Sequence, residues 1–194
     1  MSSFGVVLDA CVLFPPRLRD TLLRAAEVDL YQFRWTNEIL DEVQRSLVAR
    51  GHATHYQAQK LVDAIRAAFS QSNVLEYAQL ISSMTNDLKD RHVAAAAVAA
   101  NAQVIVTSNL GDFPDAALTP FGIEVQSPDA FLTRLFHLDR AEMVGIIEYQ
   151  AAFLRKPPME VERILDKLII FAPEFVRLVL RYRDEHASNA RQSV

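Results

Sequence analysis

Phe4-Gly5-Val6-Val7-Leu8-Asp9 is a short apolar run that ends on a carboxylate. A run of this length with two valines reads as a buried strand. Val104-Ile105-Val106-Thr107 repeats the pattern and is the clearest buried strand of the chain. Tyr31-Gln32-Phe33-Arg34-Trp35 alternates and reads as another strand, and Ile123-Glu124-Val125 as the last. Val74-Leu75 is a candidate short strand. Helical patterns separate these strands, and that alternation predicts a parallel α/β sheet flanked by helices.

Several helices follow from spacing and punctuation. Pro15-Pro16 interrupts the chain, and Leu18, Leu22, Leu23 and Ala26 then mark one face of a helix from about 17 to 28. Thr36 or Asn37 can cap the next, because either side chain can accept from a first-turn amide. That helix carries Ile39, Leu40, Val43 and Leu47 inward, with Glu38 and Glu42 four apart on a shared face. Residues 54–69 hold Ala58, Leu61, Ile65, Ala68 and Phe69 at helical spacing. Asp90 opens a helix of small residues, Val93-Ala94-Ala95-Ala96-Ala97-Val98-Ala99-Ala100, suited to close packing. Asn109-Leu110-Gly111-Asp112 is a turn, and 128–136 a helix.

Beyond residue 136 the pattern is helical throughout. One helix is expected over 139–154, Lys156-Pro157-Pro158 breaks it, and two more follow, split by Pro173. The polar tail after Asp184 is expected to fray. The chain therefore reads as an α/β domain over 1–136 with an all-helical extension over 137–194. No internal repeat or low-complexity tract is present.

Composition narrows the function classes. Hydrophobic residues make up 51% of the 194 residues, enough for a real core. No apolar run approaches the roughly 18 residues that span a bilayer. The N-terminus lacks a basic region and a signal-type cleavage site, and Cys11 is the only cysteine. A cytoplasmic protein without membrane attachment is the expectation. The net charge of −4 lies wholly in 1–136, with 11 Lys/Arg against 15 Asp/Glu; the remainder is neutral, with nine of each. Acidity argues weakly against nucleic acid, but a bound divalent cation would reverse the local sign.

Four acids stand out: Asp9 after the first strand, Asp112 after the strand at 104–107, and Glu42 and Asp90 near helix starts. In open α/β sheets the site forms beyond the carboxyl ends of the strands. Carboxylates gathered there repel one another unless a cation sits between them, and oxygen-only ligation suits Mg²⁺ or Mn²⁺. That points to metal-dependent phosphate chemistry. Each acid also has a simpler explanation. Asp9 and Asp112 could be turn formers, and Asp90 could compensate helix charge, as Asp87 could. Glu42 shares its surroundings with Glu38 and Asp41, which a solvated helix face would explain. Cys11 reads as a small buried thiol rather than a nucleophile. His52 and His55 read as a surface turn, and His92 as a structural or substrate-side histidine.

An ordered set of short motifs resembles the PIN-domain nucleases, of the kind found as the toxin in VapBC toxin–antitoxin pairs. The set comprises Val7-Leu8-Asp9-Ala10 with Phe14-Pro15, then Glu38-Ile39-Leu40-Asp41-Glu42-Val43, then Asp90-Arg91-His92-Val93. Val106-Thr107-Ser108-Asn109-Leu110-Gly111-Asp112-Phe113, Gly122-Ile123 and Ser127-Pro128 complete it. It covers about 4–136, and the helical remainder resembles an extension that some VapC-type toxins carry. The resemblance implies a metal-dependent endoribonuclease, with structured RNA as substrate and Mg²⁺ or Mn²⁺ as cofactor. Its acids map onto Asp9, Glu42, Asp90 and Asp112, with Asp9, Asp90 and Asp112 as metal ligands. Thr107 and Asn109 match polar positions near the metal; many family members have an acid where Asn109 stands. A cognate antitoxin and a homodimer are the implied partners. Arg91 is a candidate phosphate holder.

Two other readings compete. A haloacid dehalogenase-type phosphatase needs a second Asp two residues after the first, and Cys11 stands there. A catalytically inactive PIN-like module that binds RNA or a partner is the alternative with more weight. Neither a P-loop nor a Gly-rich dinucleotide turn is present.

Overall fold

β1 (Gly5–Leu8) buries all four of its residues, as a strand covered on both faces must. The computed structural model, which describes residues 4–153 and 160–192, places it inside a four-stranded sheet of order β2-β1-β3-β4. β2 (Gln32–Arg34), β3 (Val104–Val106) and β4 (Glu124–Gln126) join it with every pairing parallel. The chain leaves β1 for β2 on one side and enters β3 on the other, so the strand order reverses between β1 and β3. That is the switch point at which open α/β sheets form their sites. Leu8 lies opposite Val106, so the next residues, Asp9 and Thr107, leave the sheet side by side.

Helices form where the apolar spacing requires. α1 (Ala10–Leu13) is a single turn directly after Asp9, and α2 (Pro16–Glu27) follows Pro15. α3 (Asn37–Ala49) starts at Thr36, whose hydroxyl accepts the Ile39 N–H at 3.2 Å. α4 (His55–Ala68) opens with a Thr54–Gln57 capping box. α5 (Arg91–Ala99) packs on β1 and β3, with Ala94, Ala95, Ala96 and Ala97 fully buried. A short α6 (Asp115–Leu118) precedes β4. The helical remainder comprises α7 (Pro128–Leu138), α8 (Arg140–Phe153), α9 (Val161–Leu168) and α10 (Pro173–Gln192).

Three sequence expectations differ from the structure. Val74-Leu75 forms no strand: an isolated parallel bridge joins Trp35 to Asn73, with Val74 N–H donating to the Trp35 carbonyl at 2.8 Å. Asp90 ends a 3₁₀ turn (Leu88–Asp90) rather than opening the helix itself. The backbone after Asp184 continues as helix to Gln192, since α10 has no breaker in that stretch. The expected break at Lys156-Pro157-Pro158 lies outside the described residues.

By packing, the chain forms two compact units: Met1–Pro16 with Tyr31–Ser127, and Arg17–Leu30 with Pro128–Val194. The first holds the whole sheet. In the second, α7, α8, α9 and α10 pack together, and buried Gln150 of α8 donates to Thr21 of α2 at 2.8 Å. The boundary expected at residue 136 follows the order of patterns along the chain. Residues 17–30 also belong to the second unit, in which α7 packs on α8 and α10.

The all-alanine face of α5 sets a close approach that a larger side chain would spoil. Ala95→Leu is expected to destabilise the protein by about 1–3 kcal/mol through overpacking. Urea unfolding followed by circular dichroism would read this as a lower midpoint at unchanged slope.

Candidate active site

Asp9 is 3% exposed and stands at the N-cap position of α1, yet makes no cap hydrogen bond. Its carboxylate is held from the neighbouring strand instead. Thr107 Oγ1 donates to Asp9 Oδ2 at 2.6 Å, and Cys11 Sγ donates to the same oxygen at 3.0 Å. These donors are fixed in turn: Asn109 N–H donates to Thr107 Oγ1 at 3.0 Å and Ser108 N–H to Cys11 Sγ at 3.2 Å. Both side-chain donors take Oδ2, which leaves Oδ1 for another partner. Burial, and after it the Asp9 charge, push the Cys11 thiol up to about 12. Cys11 is therefore a protonated donor, and its thiolate is not populated near neutral pH.

Asp90 comes from the start of α5 and is 7% exposed. It too makes no cap hydrogen bond, while exposed Asp87 performs that task by accepting the Lys89 N–H at 3.1 Å. Burial first, then the Asp9 charge, raise the Asp90 carboxyl to about 6, with Lys89 opposing and Asp112 adding to the rise. Its Oδ2 is buried with no hydrogen-bond partner. Lys89 Nζ lies 3.9 Å from Asp90 Oδ2 and 3.4 Å from Asp112 Oδ2. Asp112 ends a 3₁₀ turn (Leu110–Asp112) after β3, and its carbonyl accepts the Asp87 N–H at 3.0 Å.

Glu42 projects from α3, and burial, then Asp9, raise its carboxyl above the ordinary glutamate value. His92 and Arg45 oppose that rise. His92 Nε2 lies 3.7 Å from Glu42 Oε2. The other ring nitrogen, Nδ1, is 2.9 Å from the Lys89 carbonyl, so it carries the proton and donates. Glu38 accepts from Tyr77 Oη at 3.2 Å, and Asp41 pairs with Arg66 at 3.1 Å. The alternatives to Glu42 and Asp90 thus have other partners, while Glu42 and Asp90 both feel Asp9.

Asp9 raises both Glu42 and Asp90, and Asp112 adds to the rise at Asp90. Thr107 contacts the cluster through its side chain; the Asn109 contact runs through its backbone N–H. Arg91 donates from Nε to the Asn86 carbonyl at 3.2 Å. Sequence reasoning missed Cys11 as a donor to Asp9, Lys89 between two carboxylates, and His92 beside Glu42. Cys11 and His92 each lie two residues from a cluster acid and Lys89 directly precedes one, which was the one signal available. Among the described residues no three His, Cys, Asp or Glu side chains close on one point as metal ligands.

A parallel sheet with carboxylates at its switch point defines a class, and sequence comparison supplies its name. The PIN-domain family matches residues 5–111, and the chain belongs to that family. A second match, to the VapC50 C-terminal domain, covers residues 128–181. A relative from Mycobacterium tuberculosis (strain ATCC 25618 / H37Rv), named "Putative ribonuclease VapC50", is 42% identical over 103 residues. The alignment takes in 51% of this chain and 59% of that protein, so the chain spans little more than half of the relative's length. No solved structure matches.

The raised Asp90 carboxyl sets a pH dependence. A carboxyl whose folded pKa lies above its unfolded value favours folding at low pH, and that contribution is lost as pH rises through the folded value. In EDTA, Asp90→Asn is expected to leave stability nearly unchanged at about pH 4 and to raise it by about 1–2 kcal/mol at about pH 8. Urea melts at the two pH values test this, and equal effects at both would remove the assigned burial cost.

Proposed function

We propose that this PIN-domain protein is a metal-dependent endoribonuclease of the VapC type, the toxin of a toxin–antitoxin pair, which hydrolyses phosphodiester bonds in structured RNA. The observation that carries the reading is the buried Asp9 carboxylate, fixed by Thr107 at the switch point and electrostatically tied to Glu42 and Asp90. The name of the M. tuberculosis relative supports ribonuclease chemistry.

The donors suit a hard divalent cation, Mg²⁺ or Mn²⁺. Asp90 Oδ2 is buried without a hydrogen-bond partner, and Asp9 has one oxygen outside its Thr107 and Cys11 bonds. Asp9 and Asp90 would hold the ion directly, with Asp112 completing the shell or binding through water, and Thr107 and Asn109 supporting them. When bound, the ion lowers the pKa of water and offsets charge on phosphate oxygens.

The chain's own residues supply the rest. Thr107 and Cys11 hold the Asp9 carboxylate in one orientation, so no ordering is required when substrate arrives. Glu42, raised by burial and by Asp9, is a stronger base than an exposed glutamate and accepts the proton of the attacking water. His92, anchored at Nδ1, places its Nε2 3.7 Å from Glu42 Oε2. One ester oxygen leaves as the water oxygen bonds to phosphorus, and it takes up a proton to become a hydroxyl.

An antitoxin segment covering this site, a homodimer and a cytoplasmic location complete the proposal. No helix of the described residues is long and apolar enough to cross a membrane.

Total bacterial RNA incubated with the purified protein and Mg²⁺ or Mn²⁺ should give discrete fragments that vanish with EDTA and in Asp9→Asn. Asp90→Asn should remain folded and lose at least about 100-fold in rate, the scale of losing a charge-stabilising group. A folded, metal-binding protein that cuts no RNA would favour the inactive RNA- or partner-binding module instead.

A further inference from the structure

α3 ends in a tight reversal. Gly51 has φ of 68°, its N–H donates to the Val48 carbonyl at 3.0 Å, and His52 N–H donates to the Leu47 carbonyl at 2.9 Å. This paired pattern is the Schellman motif, in which a left-handed glycine turns the chain back over the last helical turn. Arg50 and His52, on either side of that glycine, both meet Phe14. The Arg50 guanidinium carbon lies 4.9 Å from the Phe14 ring centroid. The His52 ring meets Phe14 edge-on at 5.1 Å and 88°. Phe14 is half-buried, while Arg50 and His52 are exposed.

Two observations say what such a group takes. Arg50 makes no ion pair among the described residues, whereas Arg66 in the same unit is paired with Asp41 and Asp63. Arg24, the other arginine seen over an aromatic ring, is paired with Asp20 and Glu27. Arg50 thus lies exposed over the Phe14 ring without a carboxylate partner among the described residues. Secondly, Phe14 is the C-cap of α1 and Asp9 its N-cap. Only the four residues of α1 separate the two, and at 1.5 Å per residue Phe14 lies within about 8 Å of Asp9 along the axis. An exposed, unpaired guanidinium stacked on a ring beside a phosphate-chemistry site matches how unpaired RNA bases are held.

We propose that Phe14, Arg50 and His52 form a stacking platform for an unpaired RNA nucleotide next to the scissile phosphate. The outward face of Arg50 receives the base or its N–H groups bind the adjoining phosphate, and Phe14 holds the guanidinium flat. An acidic peptide would use the charge but gain nothing from the stacked plane. The proposal rests on the ribonuclease reading for its substrate class, and binding is measured separately from cleavage.

The test is fluorescence anisotropy of a short labelled single-stranded RNA of mixed sequence, in EDTA so that nothing is cut, over a salt series. Phe14→Leu and Arg50→Gln are each expected to weaken binding about tenfold, the lower end for losing one stacked base. Arg50→Gln should also lower the slope of log affinity against log salt by about 0.7, the value for one phosphate on a single strand. Arg50→Lys should keep that slope yet still bind more weakly, because the charge stays and the plane is lost. Lys60→Gln, which removes a charge from exposed α4, should bind as wild type. Thermal melts confirm that each variant is folded. Wild-type affinity in Phe14→Leu and Arg50→Gln would overturn the platform, as would no RNA binding by the wild type. Loss of binding in those variants with no metal-dependent cleavage by wild type would uphold the platform and overturn the nuclease reading.

Discussion

A carboxylate buried at the end of the central strands governs this structure. Removing a charge from water costs several kcal/mol unless it is paired or hydrogen-bonded. Asp9 makes no ion pair with a side chain among the described residues. It is tolerated because Thr107 and Cys11 both donate to one oxygen, and backbone amides of Ser108 and Asn109 hold those donors in place. The donors come from the end of the adjacent strand, so the site exists only when β1 and β3 pair with Leu8 opposite Val106. A one-residue slip would exchange the faces to which Asp9 and Thr107 point.

The same arrangement opposes stability. Asp90 and Glu42 are raised by burial and by Asp9, so the folded protein bears a cost near neutral pH that a polar uncharged side chain would not impose. Lys89 offsets part of it at Asp90 and Asp112. Clusters of this kind persist where chemistry needs them. The division of labour among neighbouring acids fits that view: Asp87 caps a turn, Asp41 takes a salt bridge and Glu38 a tyrosine hydroxyl. Asp9 and Asp90 stand at cap positions without capping.

Much was legible because strands and helices announce themselves locally. The runs at 4–9, 31–35, 104–107 and 123–125 all became strands, with β4 shifted by one residue. Val74-Leu75 failed because two apolar residues define no period; the adjoining chain manages one bridge. The four acids could be named because each follows a strand or sits near a helix start. The site roles of Lys89, His92 and Cys11 were not legible, since they depend on which carboxylate lies a few ångströms away in space.

The sequence by itself determined the class of fold, the order of its elements, the helical character of the chain beyond residue 136 and the acids to suspect. Periodicity and capping are properties of neighbours along the chain, and an ordered set of short motifs survives without coordinates. Tertiary structure decided which acids meet, that Asp9 is held by Thr107 from 98 residues away, and that α2 packs with the helical unit rather than the sheet. It also placed Arg50 on Phe14. Burial and electrostatic coupling act through space and depend steeply on distance, so no local pattern encodes them.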